Sequence, residues 1–168
     1  MTGGMTFQDA LSARLNLMKP TQKQLNEFVT NHPLPLTLFV ADFVAKLLEN
    51  KVGVFLISGG FEEMIFPIAD VLKIQRENVM ANAILFHEDG TFKDHDREKY
   101  TCRTGGKKKA VFALKKKYGF KKLCMIGDGY TDYEARSDDG NGADLFIGFG
   151  GNQERQKVKE KADYFVYS

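Results

Sequence analysis

The stretch LCMIGDGYTD, residues 123–132, decides the fold class. Its first four residues are apolar, as in a strand that is buried within a sheet, and a loop with two carboxylates follows. Asp128 lies between two glycines, and Asp132 lies four residues further along the chain. Carboxylate oxygens at the end of a buried strand suit a hard divalent cation and a phosphate, so the stretch predicts a metal-dependent site.

Helical and strand patterns alternate on both sides of this stretch. Apolar runs predict further strands at residues 52–57, 79–86, 145–147 and 164–166. Apolar residues at helical spacing predict helices at residues 39–50, 62–72 and 107–118. A hairpin-type turn is predicted at residues 88–91. This alternation predicts an α/β fold with a mainly parallel sheet and helices on both faces.

The N-terminal residues have a different character. Two helices are predicted there, at residues 8–19 and at 22–29, and the second begins with a capping box of Thr21 and Gln24. Pro33 and Pro35 bias the residues before them away from helix. We therefore predict a helical segment at residues 1–35 and an α/β region at residues 36–168.

Composition and charge narrow the classes of function. The 168 residues fit one domain, or one domain with a small appendage. A net charge of +2 is too small to indicate a nucleic-acid partner, and lysine clusters at residues 107–109 and 115–117 read as a solvated helix face. No apolar run approaches the roughly 20 residues that cross a membrane. We expect neither nucleic acid nor a membrane as partner.

The two cysteines indicate a reducing compartment. Cys124 lies inside an apolar run and is expected to be a buried thiol, whereas Cys102 lies in a polar stretch. Their spacing suggests neither a disulfide framework nor a zinc site. The first ten residues also lack the basic start and apolar core of a signal peptide. A cytoplasmic location is therefore expected.

Polar clusters follow three of the predicted strands, at residues 58–60, 127–132 and 148–152. In parallel sheets, ligands bind at the carboxyl ends of the strands. Ser58 and the glycines after it offer a hydroxyl and unhindered amides, which attract anions. A serine cap with turn glycines would give the same local pattern. The coincidence of three clusters, rather than any one of them, predicts a site.

Two further positions carry both a functional and a structural interpretation. Lys107 follows a Thr-Gly-Gly turn and opens a helix, where a lysine can reach a bound phosphate. Taken alone, it is more simply a surface lysine. Asp128 and Asp132 could be a helix cap and an acid near a positive helix end. Their place directly after a buried strand favours the functional interpretation.

The motifs together resemble those of a known enzyme superfamily. Residues 56–61, 105–107 and 125–132 resemble the second, third and fourth motifs of the haloacid dehalogenase (HAD) superfamily, with the phosphoserine phosphatase family as the nearer match. Residues 1–7, 10–15 and 146–156 extend the resemblance over nearly the whole chain. It implies a HAD-like Rossmannoid sheet with the remnant of a helical cap.

The resemblance implies roles around a phosphate and a metal. Ser58 would bind the phosphate with help from the amide of Gly59. Lys107 would neutralise phosphate charge and steady the nucleophile. Asp128 would ligate Mg²⁺, and Asp132 would orient the metal's waters or the lysine.

The resemblance also implies a pocket for the remainder of the substrate, O-phospho-L-serine. Arg14, on the cap, would pair with the serine carboxylate. Met1 and Phe7 would line the cap side, and Thr131 would lie near the substrate. Arg155 would lie at the pocket rim. The implied reaction is magnesium-dependent hydrolysis to L-serine and phosphate through an aspartyl phosphate, a step of L-serine biosynthesis.

One element of that chemistry has no match in the sequence. Family members begin catalysis with Asp-x-Asp-x-Thr/Val at the end of their first strand, upstream of the cap. The only Asp-x-Asp here is 94–96, in a hydrophilic stretch that reads as a solvated loop. Asp138 and Asp139 lie in another polar loop. We expect an N-terminally truncated chain that lacks the central strand and has little or no activity. Such a chain would be marginally folded alone, close the gap by rearrangement, or need a partner strand.

Two other functions remain open at this point. The chain could be a non-catalytic form that binds phosphate or a protein partner, a homodimer among the options. It could also be a HAD phosphatase for another small phosphomonoester. The sequence alone does not separate these alternatives from the first reading.

Overall fold

The computed structural model describes residues 6–32 and 35–167 and divides into two units, Met1–Thr104 and Gly105–Ser168. The predicted boundary after residue 35 falls within the first unit and stays a prediction. Met1 lies outside the described residues.

The first unit contains four helices and four strands among its described residues. The helices are α1 Phe7–Met18, α2 Gln22–Asn31, α3 Val40–Glu49 and α4 Glu62–Val71. The strands are β1 Leu56–Phe61, β2 Val79–Asn82, β3 Ile84–Phe86 and β4 Phe92–His95. β1 and β2 pair in parallel, and β3 and β4 pair antiparallel around the turn that the sequence predicts.

The second unit is a parallel sheet with helices between its strands. Its elements are α5 Gly106–Tyr118, β5 Cys124–Gly127, α6 Tyr130–Tyr133, β6 Leu145–Phe149, α7 Gln156–Lys161 and β7 Tyr164–Val166. The strand order is β5-β6-β7, and both pairs are parallel. The predicted α/β fold with mainly parallel strands is confirmed.

Local sequence signals set the helix ends. The predicted capping box is present: the Gln24 amide donates to Thr21 Oγ1 at 3.2 Å, and the Thr21 amide donates to Gln24 Oε1 at 2.9 Å. Thr6 and Asp9 form a second capping box at the start of α1. Gly119 ends α5 in the left-handed conformation that glycine adopts readily.

Each unit buries its own apolar side chains. In the first, Val44 of α3 packs with α4 and β2 residues that include Ala69 and Ala81. In the second, Val111 of α5 and Phe146 of β6 are fully buried. Burying such a side chain stabilises the folded state by about 1.5–3 kcal/mol, so these contacts fix the strand ends that carry the polar clusters.

The first strand starts later than the sequence predicts. Residues 52–55 lie outside β1, and Val52 is 46% exposed. The amide of Val52 still donates to the carbonyl of Leu47, because the chain is closing the C-terminal turn of α3. Ser58 and its glycines therefore lie within β1 rather than after it.

Three smaller predictions are also wrong. The run 79–86 divides at Ala83 into two strands with different partners. Cys124 is exposed, because side chains alternate along β5 and only Met125 turns inward. Asp94 belongs to β4 rather than to a solvated loop, and the neighbouring His95 is buried.

β1 and β5 are edge strands. Among residues 6–32 and 35–167, β1 pairs only with β2, and β5 pairs only with β6. No helix in this part of the chain is long and apolar enough to cross a membrane.

Candidate functional site

The Ser58-Gly59-Gly60 loop is a bulge in β1. The pairing register passes from Ile57 opposite Met80 to Phe61 opposite Asn82, so β1 advances four residues while β2 advances two. Extra residues leave the regular ladder and bend the strand. The bulge turns the Ser58 hydroxyl and the neighbouring amides away from ordinary strand pairing.

Short-range contacts define the shape of this bulge. The Gly60 amide donates to Ser58 Oγ at 3.0 Å, so the serine hydroxyl retains its own proton for another acceptor. Gly59 is exposed, and a Cβ added there would meet nothing within 4 Å. The loop thus presents one hydroxyl and open backbone at the surface of the first unit.

Two buried residues that the sequence analysis did not single out support the loop. Asn82 Nδ2 donates to the carbonyl of Gly59 at 2.8 Å, and Thr101 Oγ1 donates to Asn82 Oδ1 at 2.9 Å. Both residues are buried. An asparagine inside an apolar strand run was the available signal, since buried polar side chains need partners.

In the second unit, Lys107 and Asp132 form a partly buried ion pair. Lys107 Nζ lies 2.6 Å from Asp132 Oδ1, and the side chains are 19% and 6% exposed. Of the two roles expected for Asp132, orienting the metal's waters or the lysine, the contact with the lysine is present. Because each charge loses water on folding, removing one partner leaves the other uncompensated.

Asp132 also shapes the loop that precedes it. Its Oδ2 accepts a hydrogen bond from the Gly129 amide at 3.0 Å. A Cβ at Gly127 would lie 2.3 Å from Asp132 Cγ, closer than real atoms approach. Position 127 therefore needs glycine, because the Asp132 side chain occupies the space that a Cβ would fill. Asp132 both caps the start of α6 and contacts Lys107.

Asp128 contacts Arg155, which immediately precedes α7. Arg155 Nη1 donates to the carboxylate of Asp128 and, at 2.8 Å, to its main-chain carbonyl. The side chains are 43% and 46% exposed, so the pair is accessible to water and ions. The predicted rim arginine lies against the predicted metal ligand.

The donor set partly fits a magnesium ion. The carboxylate and the main-chain carbonyl of Asp128 both face the guanidinium of Arg155. Hard cations bind oxygens of these two kinds. Within the described residues, no cluster of three or more His, Cys, Asp or Glu side chains could hold a metal. Mg²⁺ commonly binds one or two carboxylates and completes its shell with water and phosphate.

The remaining predicted site residues lie at exposed positions. Phe7 begins α1, Arg14 lies further along the same helix, and both side chains are exposed. Thr131 is an exposed residue of α6.

The acidic side chains outside the loop have distinct surroundings. Burial raises the pKa of Glu63 at the start of α4, and its Oε2 is buried without a hydrogen-bond partner. Glu62 beside it pairs with Lys99 at 2.5 Å.

In the polar loop after α6, hydrogen bonds led by the Ser137 hydroxyl lower the pKa of Asp139 to about 2. That loop is the solvated segment that the sequence predicts.

The fold of the chain is similar to that of two solved hydrolases. The structure of a HAD-family hydrolase from Salmonella enterica superposes with a TM-score of 0.77 at 14% identity, over 96% of this chain and 52% of that one. A substrate-bound phosphoserine phosphatase superposes with a TM-score of 0.77 at 20% identity, over 96% and 72%. At these identities the likeness concerns the fold, which is HAD-like.

Sequence relatives define the family more narrowly. No protein-family model matches the chain. A chloroplastic phosphoserine phosphatase from Arabidopsis thaliana is 44% identical over 99% of this chain, and the phosphoserine phosphatase of Rattus norvegicus is 43% identical over 99%. The chain spans 56% of the Arabidopsis protein and 72% of the rat protein.

A solved structure agrees with these relatives. A phosphoserine phosphohydrolase-like protein from Francisella tularensis superposes with a TM-score of 0.82 at 33% identity, over 100% of this chain and 76% of that one. The chain therefore belongs to the phosphoserine phosphatase family.

Proposed function

We propose that the chain carries the phosphate-binding and metal-binding parts of a phosphoserine phosphatase. The reaction is magnesium-dependent hydrolysis of O-phospho-L-serine to L-serine and phosphate through an aspartyl phosphate, in L-serine biosynthesis. The observation that carries the proposal is the 2.6 Å Lys107–Asp132 pair beside Asp128, in a chain 43% identical to the rat enzyme.

Lys107 supplies positive charge in a fixed place. One of the three donors on its ammonium group points at Asp132, which leaves two for phosphate oxygens or for an attacking carboxylate. Ser58, whose oxygen already accepts from Gly60, donates its hydroxyl proton to a phosphate oxygen. The amide of Gly59 provides a further donor at the same bulge.

Asp128 is the proposed metal ligand. Mg²⁺, when bound, polarises the phosphoryl group and neutralises the charge that develops on its oxygens. Arg155 contacts Asp128 Oδ2 and the Asp128 main-chain carbonyl, so it would compete with a metal for these oxygens.

Arg14 sets the preference for a substrate with a carboxylate. In this proposal its guanidinium pairs with the serine carboxylate, and the family resemblance implies substrate contacts for Phe7 and for Thr131. Arg14→Glu in an extended chain that includes the family's Asp-x-Asp strand separates the substrate classes. We expect loss of O-phospho-L-serine hydrolysis. Undiminished preference for O-phospho-L-serine would overturn this role of Arg14. Faster hydrolysis of a phosphomonoester without a carboxylate would favour a HAD phosphatase for another small phosphomonoester.

For the 168-residue polypeptide itself we propose little or no turnover, because its one Asp-x-Asp, residues 94–96, begins on the antiparallel strand β4. The test compares this polypeptide with the extended chain for magnesium-dependent phosphate release from O-phospho-L-serine. Release by the extended chain alone is the expected result. Release by the 168-residue polypeptide would refute the inactivity, and an inactive extended chain would refute the enzymatic function.

A second candidate function is binding to a protein through an open strand edge. β5 pairs on one side only among the described residues, and Ile126 on it is 43% exposed. Such edges accept an added strand. Co-purification with a full-length family member or with a second copy, lost in Ile126→Lys, would support it.

Cys102 and Cys124 are both free, which supports a reducing, cytoplasmic location.

A further inference from the structure

Two buried polar side chains behind the Ser58-Gly59-Gly60 loop have no part in the function proposed above. Asn82 ends β2 and is fully buried, and Thr101 follows β4 and is 5% exposed. Desolvating an amide or a hydroxyl is unfavourable unless it is hydrogen-bonded. The partners of these side chains therefore indicate what they hold in place.

The bulge in β1 explains why a side chain is needed here. Between the Ile57 and Phe61 pairings, β1 contains two more residues than β2, so the Gly59 peptide cannot follow the regular ladder. Asn82 Nδ2 donates to the Gly59 carbonyl at 2.8 Å. The carboxamide thus replaces a strand hydrogen bond that the bulge removes.

Thr101 fixes the orientation of that carboxamide. Nδ2 faces Gly59, so Oδ1 is left as an acceptor, and the Thr101 hydroxyl donates to it at 2.9 Å. A carboxamide rotated by half a turn would place two acceptor oxygens, those of Asn82 and Gly59, against each other. The hydroxyl therefore selects the one orientation that holds the Gly59 carbonyl.

We propose that Thr101, acting through Asn82, is a positioning residue of the phosphate-binding loop. This proposal rests on the proposed function, because it treats the Ser58 hydroxyl and the Gly59 amide as hydrogen-bond donors to phosphate. The contacts run from Thr101 to Asn82 to the Gly59 carbonyl, and the Gly60 amide then returns to Ser58 Oγ. Thr101 itself contacts no substrate.

The role is preorganisation of donors. If the Gly59 carbonyl loses its partner, the peptide between Gly59 and Gly60 can rotate, and the donors of the bulge no longer point together. Binding then includes the entropy loss of ordering the loop, so phosphate affinity falls while the unit stays folded.

Thr101→Val in the 168-residue protein tests this. We expect hydrogen exchange of the Gly60 amide to accelerate about tenfold, and affinity for inorganic phosphate, followed by amide chemical shifts, to fall about fivefold. Thr101→Ser restores both values. The matched control is Thr91→Val, which removes a hydroxyl that donates to Asp89 at 2.6 Å in the exposed hairpin turn and changes neither value.

The two readouts separate the two proposals. Gly60 exchange in Thr101→Val equal to that of the unsubstituted protein would overturn the positioning role, whatever the phosphate result. Absence of phosphate binding in the unsubstituted protein would instead overturn the proposed function, and the exchange measurement still decides the role of Thr101. If Thr101→Val does not fold, Thr101→Ala and Thr101→Ser differ only by the hydroxyl, and equal exchange in that pair overturns the proposal.

Discussion

The loop around Ser58 and the loop around Asp128 are held by different forces. A neutral hydrogen bond from the buried Asn82 holds the first, whereas ion pairs to Lys107 and Arg155 hold the second. Neutral contacts respond little to salt or to added cations, while ion pairs respond to both. If the proposed function holds, the first loop is a preformed site for an anion, whereas the ion pairs of the second loop are open to competition from a cation.

Removing the buried acid should have the largest effect. Asp132→Ala leaves Lys107 partly buried without its counter-ion, and we expect a loss of about 3–5 kcal/mol of unfolding free energy. Urea unfolding followed by circular dichroism measures it. Asp138→Ala is the control, because Asp138 pairs with Arg136 at 2.7 Å but is 86% exposed. Equal losses in both variants would show that the Lys107 pair is no more than a surface contact.

The two loops should also differ in how much stability they lose when a glycine is replaced by alanine. Gly127→Ala places a Cβ 2.3 Å from Asp132 Cγ, which forces the acid to shift, and we expect about 1–3 kcal/mol of destabilisation. Gly59→Ala meets no atom within 4 Å and should stay within about 0.5 kcal/mol of the unsubstituted protein. Thermal unfolding of both variants tests the contrast, which a more damaging Gly59→Ala would reverse.

A pH effect is expected in the first unit despite its neutral loop contacts. Burial raises the pKa of Glu63, so the folded state holds this proton to higher pH than the unfolded state. Its stabilising effect is therefore complete below the unfolded pKa, about 4.5, and is lost as pH rises through the folded pKa. Glu63→Gln should flatten the curve of unfolding free energy against pH, because the amide has no proton to lose in this range. An unchanged slope would show that Glu63 is solvated when folded.

The smallest expected effect concerns Arg155. In Arg155→Gln the cation no longer competes for Asp128, so the affinity for Mg²⁺, measured by calorimetry, should rise about two- to fivefold, the range of an exposed ion pair. Arg136→Gln breaks pairs with Asp138 and Asp163 instead and should leave the affinity unchanged. A lower affinity in Arg155→Gln would mean that the arginine supports the metal site.

The sequence predicted the charged loop better than the neutral one. Asp132, one helical turn after Asp128, was expected to orient either the metal's waters or Lys107, and the second of these contacts is present. The bulge at Ser58 was not predictable, since the helix turn that delays β1 depends on a hydrogen bond from Val52 to Leu47.

Tertiary partners explain the other differences. In the sequence, Asn82 is one more residue of a strand, and only the structure shows that its side chain contacts the Gly59 carbonyl. Cys124 sits in an apolar run that resembles a fully buried strand, but β5 is an edge strand and exposes every second side chain. Periodicity reports which residues share a face, and only the fold decides whether that face is covered.

The missing side chain at Gly127 has an evolutionary consequence. The acid at position 132 fills the volume in which a Cβ at position 127 would lie. Asp132 Cβ itself lies 2.6 Å from that added atom, so a shorter side chain at 132 does not by itself make room, and the backbone at the start of α6 has to move. A side chain at 127 would therefore also displace the carboxylate that pairs with Lys107, which couples the three positions.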